Sequence, residues 1–223
     1  LGKDSSQQNT VGYRNVTIGQ GAAQCMCTGC NNVAIGYEAL MGSGTVSNNV
    51  GDSNIAIGNV AGRGLTSGCF NVFLGCSAGN GTTSGSNNIF LGCEAGKNAT
   101  IAQNSIFLGR CAGGWCTVTG CYNIAFGFGT GKKITSGASN VFIGNQTACN
   151  GVVTGSCNIA LGLNAGCNIA NGSRNIFIGQ DAGKGNTSGG YNIVFGAYAA
   201  SAGTLTGGGN ITLGQSAGRN LAA

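Results

Sequence analysis

Residues 71–96 read NVFLGCSAGNGTTSGSNNIFLGCEAG. Within them one five-residue phrase occurs twice, Asn71 to Gly75 and Asn88 to Gly92, 17 residues apart. The phrase is Asn, Ile or Val, a variable residue, Ile, Leu or Phe, and Gly. It runs from Asn15 to Gly214 in twelve copies, with Ser105 standing once for Asn. The phrase glycines are 17 or 18 residues apart, except for one interval of 22. The 18-residue units carry their extra residue in one turn, at TVTG from Thr117, VVTG from Val152 and TLTG from Thr204. The longest unit inserts its surplus near residues 41–53. Insertions confined to turns are what a stack of coils tolerates.

The phrase is too short for a helix and rich in strand-forming residues. Gly and Asn interrupt every unit, which excludes a continuous helix. A 17-residue coil closes only through sharp corners, and Gly supplies the positive φ they need. The reading is an all-β parallel β-solenoid or β-roll of about twelve coils. Residues 1–14 form a lead-in or partial cap, and residues 15–223 form one solenoid domain. At ~4.8 Å per coil the rod is roughly 60 Å long.

Stacking places the phrase-initial residues in one column: Asn15, Asn32, Asn54, Asn71, Asn88, Asn123, Asn140, Asn158, Asn175, Asn192 and Asn210. Such a column pairs each side-chain amide with the next and satisfies corner backbone groups. The second and fourth phrase residues are uniformly apolar and are expected to line the coil interior. The third then points outward, where Phe73, Phe90, Phe107, Phe142 and Phe177 make an apolar stripe. A stripe of that kind marks an interface. The expected partner is the chain itself, as a homotrimer; the sequence by itself requires only more than one copy.

Composition narrows the function. Gly makes up 45 of 223 residues, Pro and His are absent, and 15 side chains carry charge, for a net +5. Collagen is excluded by the missing Gly-X-Y period and Pro. Disorder is disfavoured by recurrent Ile, Val, Leu and Phe with small net charge. No apolar run reaches a membrane-spanning length, so no membrane insertion is expected. Without His, imidazole-based acid–base, triad and metal chemistry are closed. The only basic doublet is Lys132-Lys133, too little for a nucleic-acid-binding face. No signal-peptide pattern follows Leu1, so the chain reads as mature or as an excerpt.

The phrases NNVAIGYEAL (31–40), GSNNIFLGCEAG (85–96) and SRNIFIGQDAG (173–183) resemble the "NTAIGYQAG" repeats of bacteriophage and giant-virus tail-fibre proteins. They are also similar to the β-roll head repeats of trimeric autotransporter adhesins, with their "NSVAIG" phrase. The resemblance spans residues 15 to 220. It implies a trimeric, structural, surface-located fibre segment that presents turns and tips to a cell-surface receptor or glycan. The chain departs from both families in its twelve Cys and in lacking a recognisable cap, coiled coil or chaperone segment. End-to-end stacking on another subunit is one expectation for such ends.

Register also sorts the remaining candidates. Cys76 and Cys93 follow the phrase Gly on adjacent coils, and Cys149 and Cys167 sit five residues past it. Stacking puts each pair within disulfide reach. The CMCTGC run at Cys25–Cys30 offers three thiols and no His, short of a structural zinc set; no metal or cofactor is expected. Glu38, Glu94 and Asp181 share one column but are about 14 and 24 Å apart by stacking, beyond a glycosidase pair. Glu38 with Asp52, or pairs between subunits, stay open; the chain reads as no enzyme. Thr66, Thr83, Thr100, Thr117 and Thr135 form a rank eight residues past each Gly, the feature of an ice-binding solenoid. Sequons in turns at Asn80, Asn98, Asn145, Asn171 and Asn186 are glycosylation candidates, should the chain meet a glycosylating route. The leading reading is a non-catalytic shaft of a viral or phage surface fibre, on the virion or cell surface. A bacterial adhesin head and an ice-binding solenoid are the alternatives.

Overall fold

The computed structural model describes residues 1–42 and 51–220; residues 43–50 of the expected insertion lie outside the described residues. The chain is all-β, with twelve three-residue strands and, among the described residues, no helix. It divides into two compact units, Leu1–Val118 and Thr119–Ala223. Unit 1 holds β1 (Val16–Ile18), β2 (Val33–Ile35), β3 (Ile55–Ile57), β4 (Val72–Leu74), β5 (Ile89–Leu91) and β6 (Ile106–Leu108). Unit 2 holds β7 (Ile124–Phe126), β8 (Val141–Ile143), β9 (Ile159–Leu161), β10 (Ile176–Ile178), β11 (Ile193–Phe195) and β12 (Ile211–Leu213).

Within each unit every strand pairs in parallel with the next in sequence, phrase on phrase. Each unit is therefore a parallel β-solenoid with about 17 residues per turn. Residues 1–14 extend unit 1 by most of a coil without a strand: Gly21 N–H donates to Lys3 O and Ser6 N–H to Ala22 O.

The corners explain the glycines. After β4, Ala78 N–H donates to Gly75 O, Asn80 N–H to Ser77 O and Thr82 N–H to Gly79 O. Ser77 (φ 57°) and Gly79 (φ 61°) occupy the third position of the first two turns, the positive φ of type II turns. The residue two before each strand is also left-handed, and it is Phe70, Tyr122 or Tyr191 on three coils, with φ 59–60°. Their side chains are more than 60% exposed, so the strained backbone does not force a ring into a corner.

The interior reverses one expectation. The third phrase residue points inward, not outward: Ala34, Ala56, Phe73, Phe90, Phe107, Ala125, Phe142, Ala160, Phe177 and Val194 are all 0% exposed. The second and fourth residues face outward instead. The Phe residues at 73, 90, 107, 142 and 177 are thus core, not an oligomer-interface stripe. The physical reason is width. A strand of three residues between two sharp corners sends only its middle residue into the coil, and a 17-residue coil has no room for two branched ranks.

The inner volume is shared between two positions. Gly79, Gly96, Gly113 and Gly183 each lie so close to Phe73, Phe90, Phe107 and Phe177 that an added Cβ would come within 2.3–2.6 Å of the ring. On the Ala34 and Val194 coils the same corner carries Leu40 and Ala200, both buried; on the Ala56 and Ala160 coils it carries Gly62 and Gly166, which lie against Phe73 and Phe177 of the next coil. Phe73, Phe90 and Phe107 form a stacked column, with centroids 5.4 and 4.9 Å apart.

Candidate functional site: an apolar strand face

The reversed strands leave two parallel apolar ranks on the outer surface. In unit 1 they run over Val16 and Ile18, Ile55 and Ile57, and Ile89 and Leu91, all 38–47% exposed. The alternating coils contribute partly exposed Val33, Ile35, Val72, Leu74, Ile106 and Leu108. In unit 2 the most exposed members are Phe126 and Phe195 at 53% and Ile211 and Leu213 at 67% and 66%. No rank position in either unit is polar or charged. Each unit thus presents on the order of 600 Å² of continuous apolar surface, the upper end of what a monomer carries.

The corner that leads into each strand is held by the Asn column. Asn71 is a representative rung. Its Oδ1 accepts the Asn88 backbone N–H and the Asn88 Nδ2, both at 3.0 Å. Its Nδ2 donates to Asn54 Oδ1 (3.0 Å) and Gly85 O (2.8 Å). The same pattern runs through Asn140, Asn158 and Asn175 in unit 2. Asn32, Asn54, Asn71, Asn88, Asn123, Asn140, Asn158, Asn175 and Asn192 are fully buried, while Asn15 and Asn210 are partly exposed. At Ser105 the backbone rung is kept, its N–H donating to Asn88 Oδ1 (3.0 Å).

A second ladder runs two residues earlier, and sequence reasoning missed it. Cys30 N–H donates to Asp52 Oδ1, Asp52 N–H to Cys69 Sγ, and Cys69 N–H to Ser86 Oγ. In unit 2 Ala138 N–H donates to Ser156 Oγ and Ser156 N–H to Ser173 Oγ. Asp, Cys and Ser interchange there because each offers one acceptor to the next backbone N–H. Residue identity varies along the column, so no repeated letter reveals it.

Comparison with protein families, with curated proteins and with solved structures finds no match.

The other candidates are dispersed. Glu38, Glu94 and Asp181 each lie at a left-handed corner and pair with Arg63 (3.0 Å), Lys97 (2.9 Å) and Lys184 (3.1 Å). Lys97, together with the Cys111 thiol, holds the Glu94 carboxyl below its ordinary range. Asp52, the open partner for Glu38, is engaged in the second ladder. Among the described residues no three His, Cys, Asp or Glu side chains gather as a metal set. Nor is any helix there long and apolar enough to cross a membrane. A hollow of about 240 Å³ by Asp181, Lys184, Tyr198 and Arg219 falls below the ~300 Å³ at which small-molecule sites begin.

Thr66 Oγ1 donates to Thr83 O and Thr83 Oγ1 to Thr100 O (3.1 Å each). These two members, and Thr135 through Val153 O, spend their hydroxyl protons on the coil stack. The rank also shifts in unit 2, where Thr119 N–H, two residues past Thr117, donates to Thr135 O. Among the sequons, Asn145 and Asn171 are exposed and Asn80 and Asn98 are partly exposed. Asn98 Nδ2 donates to Gly114 O and Trp115 O. Asn186 is corrected: it is 0% exposed, inside the coil, where no glycan fits.

All twelve cysteines are thiols. Cys76 and Cys93 are exposed, and partial burial with Cys76 nearby pushes the Cys93 thiol up. Cys149 and Cys167 are 2% exposed with Sγ atoms 3.0 Å apart.

Proposed function

We propose that the chain is a structural, non-catalytic repeat segment of a surface fibre, of the viral or phage type its phrases resemble, assembled as a homotrimer through the strand face. The observation that carries this reading is the double apolar rank repeated on every strand. A partner for that surface must present apolar groups at the same ~4.8 Å coil spacing, and another copy of this chain does so by construction. An on-face pairing of two or three stripes buries an area of the order of a standard interface, ~800 Å² per partner. Stacked backbone ladders and the side-chain ladders behind them supply the stiffness a shaft requires. Four of the five acids, Glu38, Asp52, Glu94 and Asp181, are paired or engaged in corner bonds, which supports a role without catalysis. The receptor-presenting surface would then be the corners that lead into the strands, where single exposed aromatics such as Phe70, Tyr122 and Tyr191 stand.

The test is a charged substitution on the face that spares the core. Ile89 and Leu91 are 39% and 38% exposed, so Ile89→Lys with Leu91→Lys is expected to keep the fold while lowering the solution mass to that of one chain. Circular dichroism checks the fold and sedimentation velocity the mass. A folded double variant that sediments like the parent removes the strand face as the assembly surface.

A further inference from the structure

The strongest cluster of reactive groups outside the strand face lies in unit 2. The position five residues past the phrase Gly is Lys132, Cys149, Cys167 and Lys184 on four successive coils. Cys149 and Cys167 therefore sit between two lysines. Backbone bonds lock the two coils here: Ala148 N–H donates to Ala165 O (3.1 Å) and Asn150 N–H to Cys167 O (2.8 Å). The thiols are 2% exposed and their sulfurs 3.0 Å apart. Coils stacked at ~4.8 Å put the two Cα atoms inside the disulfide range. Forming the bond brings sulfurs already 3.0 Å apart to covalent distance. Lys132 and Lys184 both favour a thiolate on this pair. One proton leaves more readily than from an ordinary thiol, because the remaining S–H hydrogen-bonds the thiolate formed at Cys167.

We propose that Cys149 and Cys167 are a peroxide-oxidisable pair that staples adjacent coils of unit 2 with a disulfide. The Cys167 thiolate attacks one oxygen of a hydroperoxide and the O–O bond breaks, leaving a sulfenic acid and hydroxide. The Cys149 sulfur then attacks the sulfenic sulfur, and the S–O bond breaks as the S–S bond forms. The Cys149 proton and the proton first lost by Cys167 end on the two hydroxides as water. With hydrogen peroxide, two thiols and one peroxide give one disulfide and two waters. The two electrons come from the sulfurs. The site is separate from the strand face and does not depend on the fibre reading. A disulfide here closes a short loop of the unfolded chain, which is where cross-links act.

The experiment treats the full-length folded chain with hydrogen peroxide, unfolds it, alkylates remaining thiols and maps the peptides by mass. The expected result is a linked Cys149–Cys167 peptide two hydrogens lighter than its parts, together with a thermal midpoint raised by ~5 °C. Reductant reverses both. Cys149→Ser is expected to abolish the linked peptide and the shift. Recovery of Cys149 and Cys167 as separately alkylated or over-oxidised residues in the wild-type map overturns the proposal. That reading stands even where the variant fails to fold.

Discussion

Phe90→Ala is expected to destabilise the chain by about 3–5 kcal/mol, the range for emptying an aromatic site in a rigid core. Phe90 is fully buried between the rings of Phe73 and Phe107, at 5.4 and 4.9 Å. The wall opposite is backbone: a Cβ on Gly96 would sit 2.4 Å from the Phe90 ring. Hydrogen-bonded coils above and below cannot collapse into the space, so the cavity persists. In a solenoid the loss falls on the coil and on both of its interfaces. Urea denaturation of the two proteins measures it. Ile89→Ala, one residue away, is the internal comparison. Ile89 faces outward, so its loss should act through assembly and depend on protein concentration, whereas the Phe90 loss should not. An Ile89→Ala loss as large as that of Phe90→Ala and independent of concentration would reverse the assignment of faces.

Asn71→Ala is expected to destabilise by about 3 kcal/mol or more, because two buried backbone groups lose their partners at ~1–3 kcal/mol each. Asn71 Oδ1 is the acceptor for the Asn88 N–H, and Asn71 Nδ2 is a donor to Gly85 O. Both sites are sealed from water, so solvent does not replace the lost bonds. Asn71→Ser should be milder than Asn71→Ala, since Ser105 stands at the same position and its hydroxyl finds Gln103 O (3.1 Å). Amide exchange gives a local readout: the Asn88 N–H should lose protection in Asn71→Ala before its neighbours do. A loss below ~1 kcal/mol with Asn88 protection unchanged would mean that the ladder is not a source of stability.

The solenoid, its pitch and the identity of the Asn column are legible in the sequence because each depends only on the spacing of repeated letters. The Thr rank is legible on the 17-residue coils and slips within TVTG, where Thr119 and not Thr117 bonds to Thr135 O. The direction of the strand is not carried by spacing. Ranks two and four and rank three are all apolar, so the alternation that normally separates inside from outside is missing. The deciding signal is volume. Four of the five Phe residues at rank three occur with Gly four residues beyond the phrase Gly, as Phe73 with Gly79 and Phe90 with Gly96, and Phe142 occurs with the small Ala148, while Leu40, the largest residue at that corner, occurs with Ala34. That reciprocity belongs to residues that touch across a narrow interior. The outer ranks show no such exchange, since nothing in the same coil limits their size. Buried Asn186 was misread for a related reason. A sequon describes three letters, while burial depends on which corner of the coil they occupy.

The central claim is that the apolar strand face is covered by other copies of this chain. Light scattering of the chain in reductant tests it most directly, because reductant removes any contribution from intermolecular disulfides. The account predicts a mass close to three times 21.9 kDa, unchanged between oxidised and reduced samples. A mass of 21.9 kDa across the accessible concentration range would contradict it and leave both apolar ranks facing water.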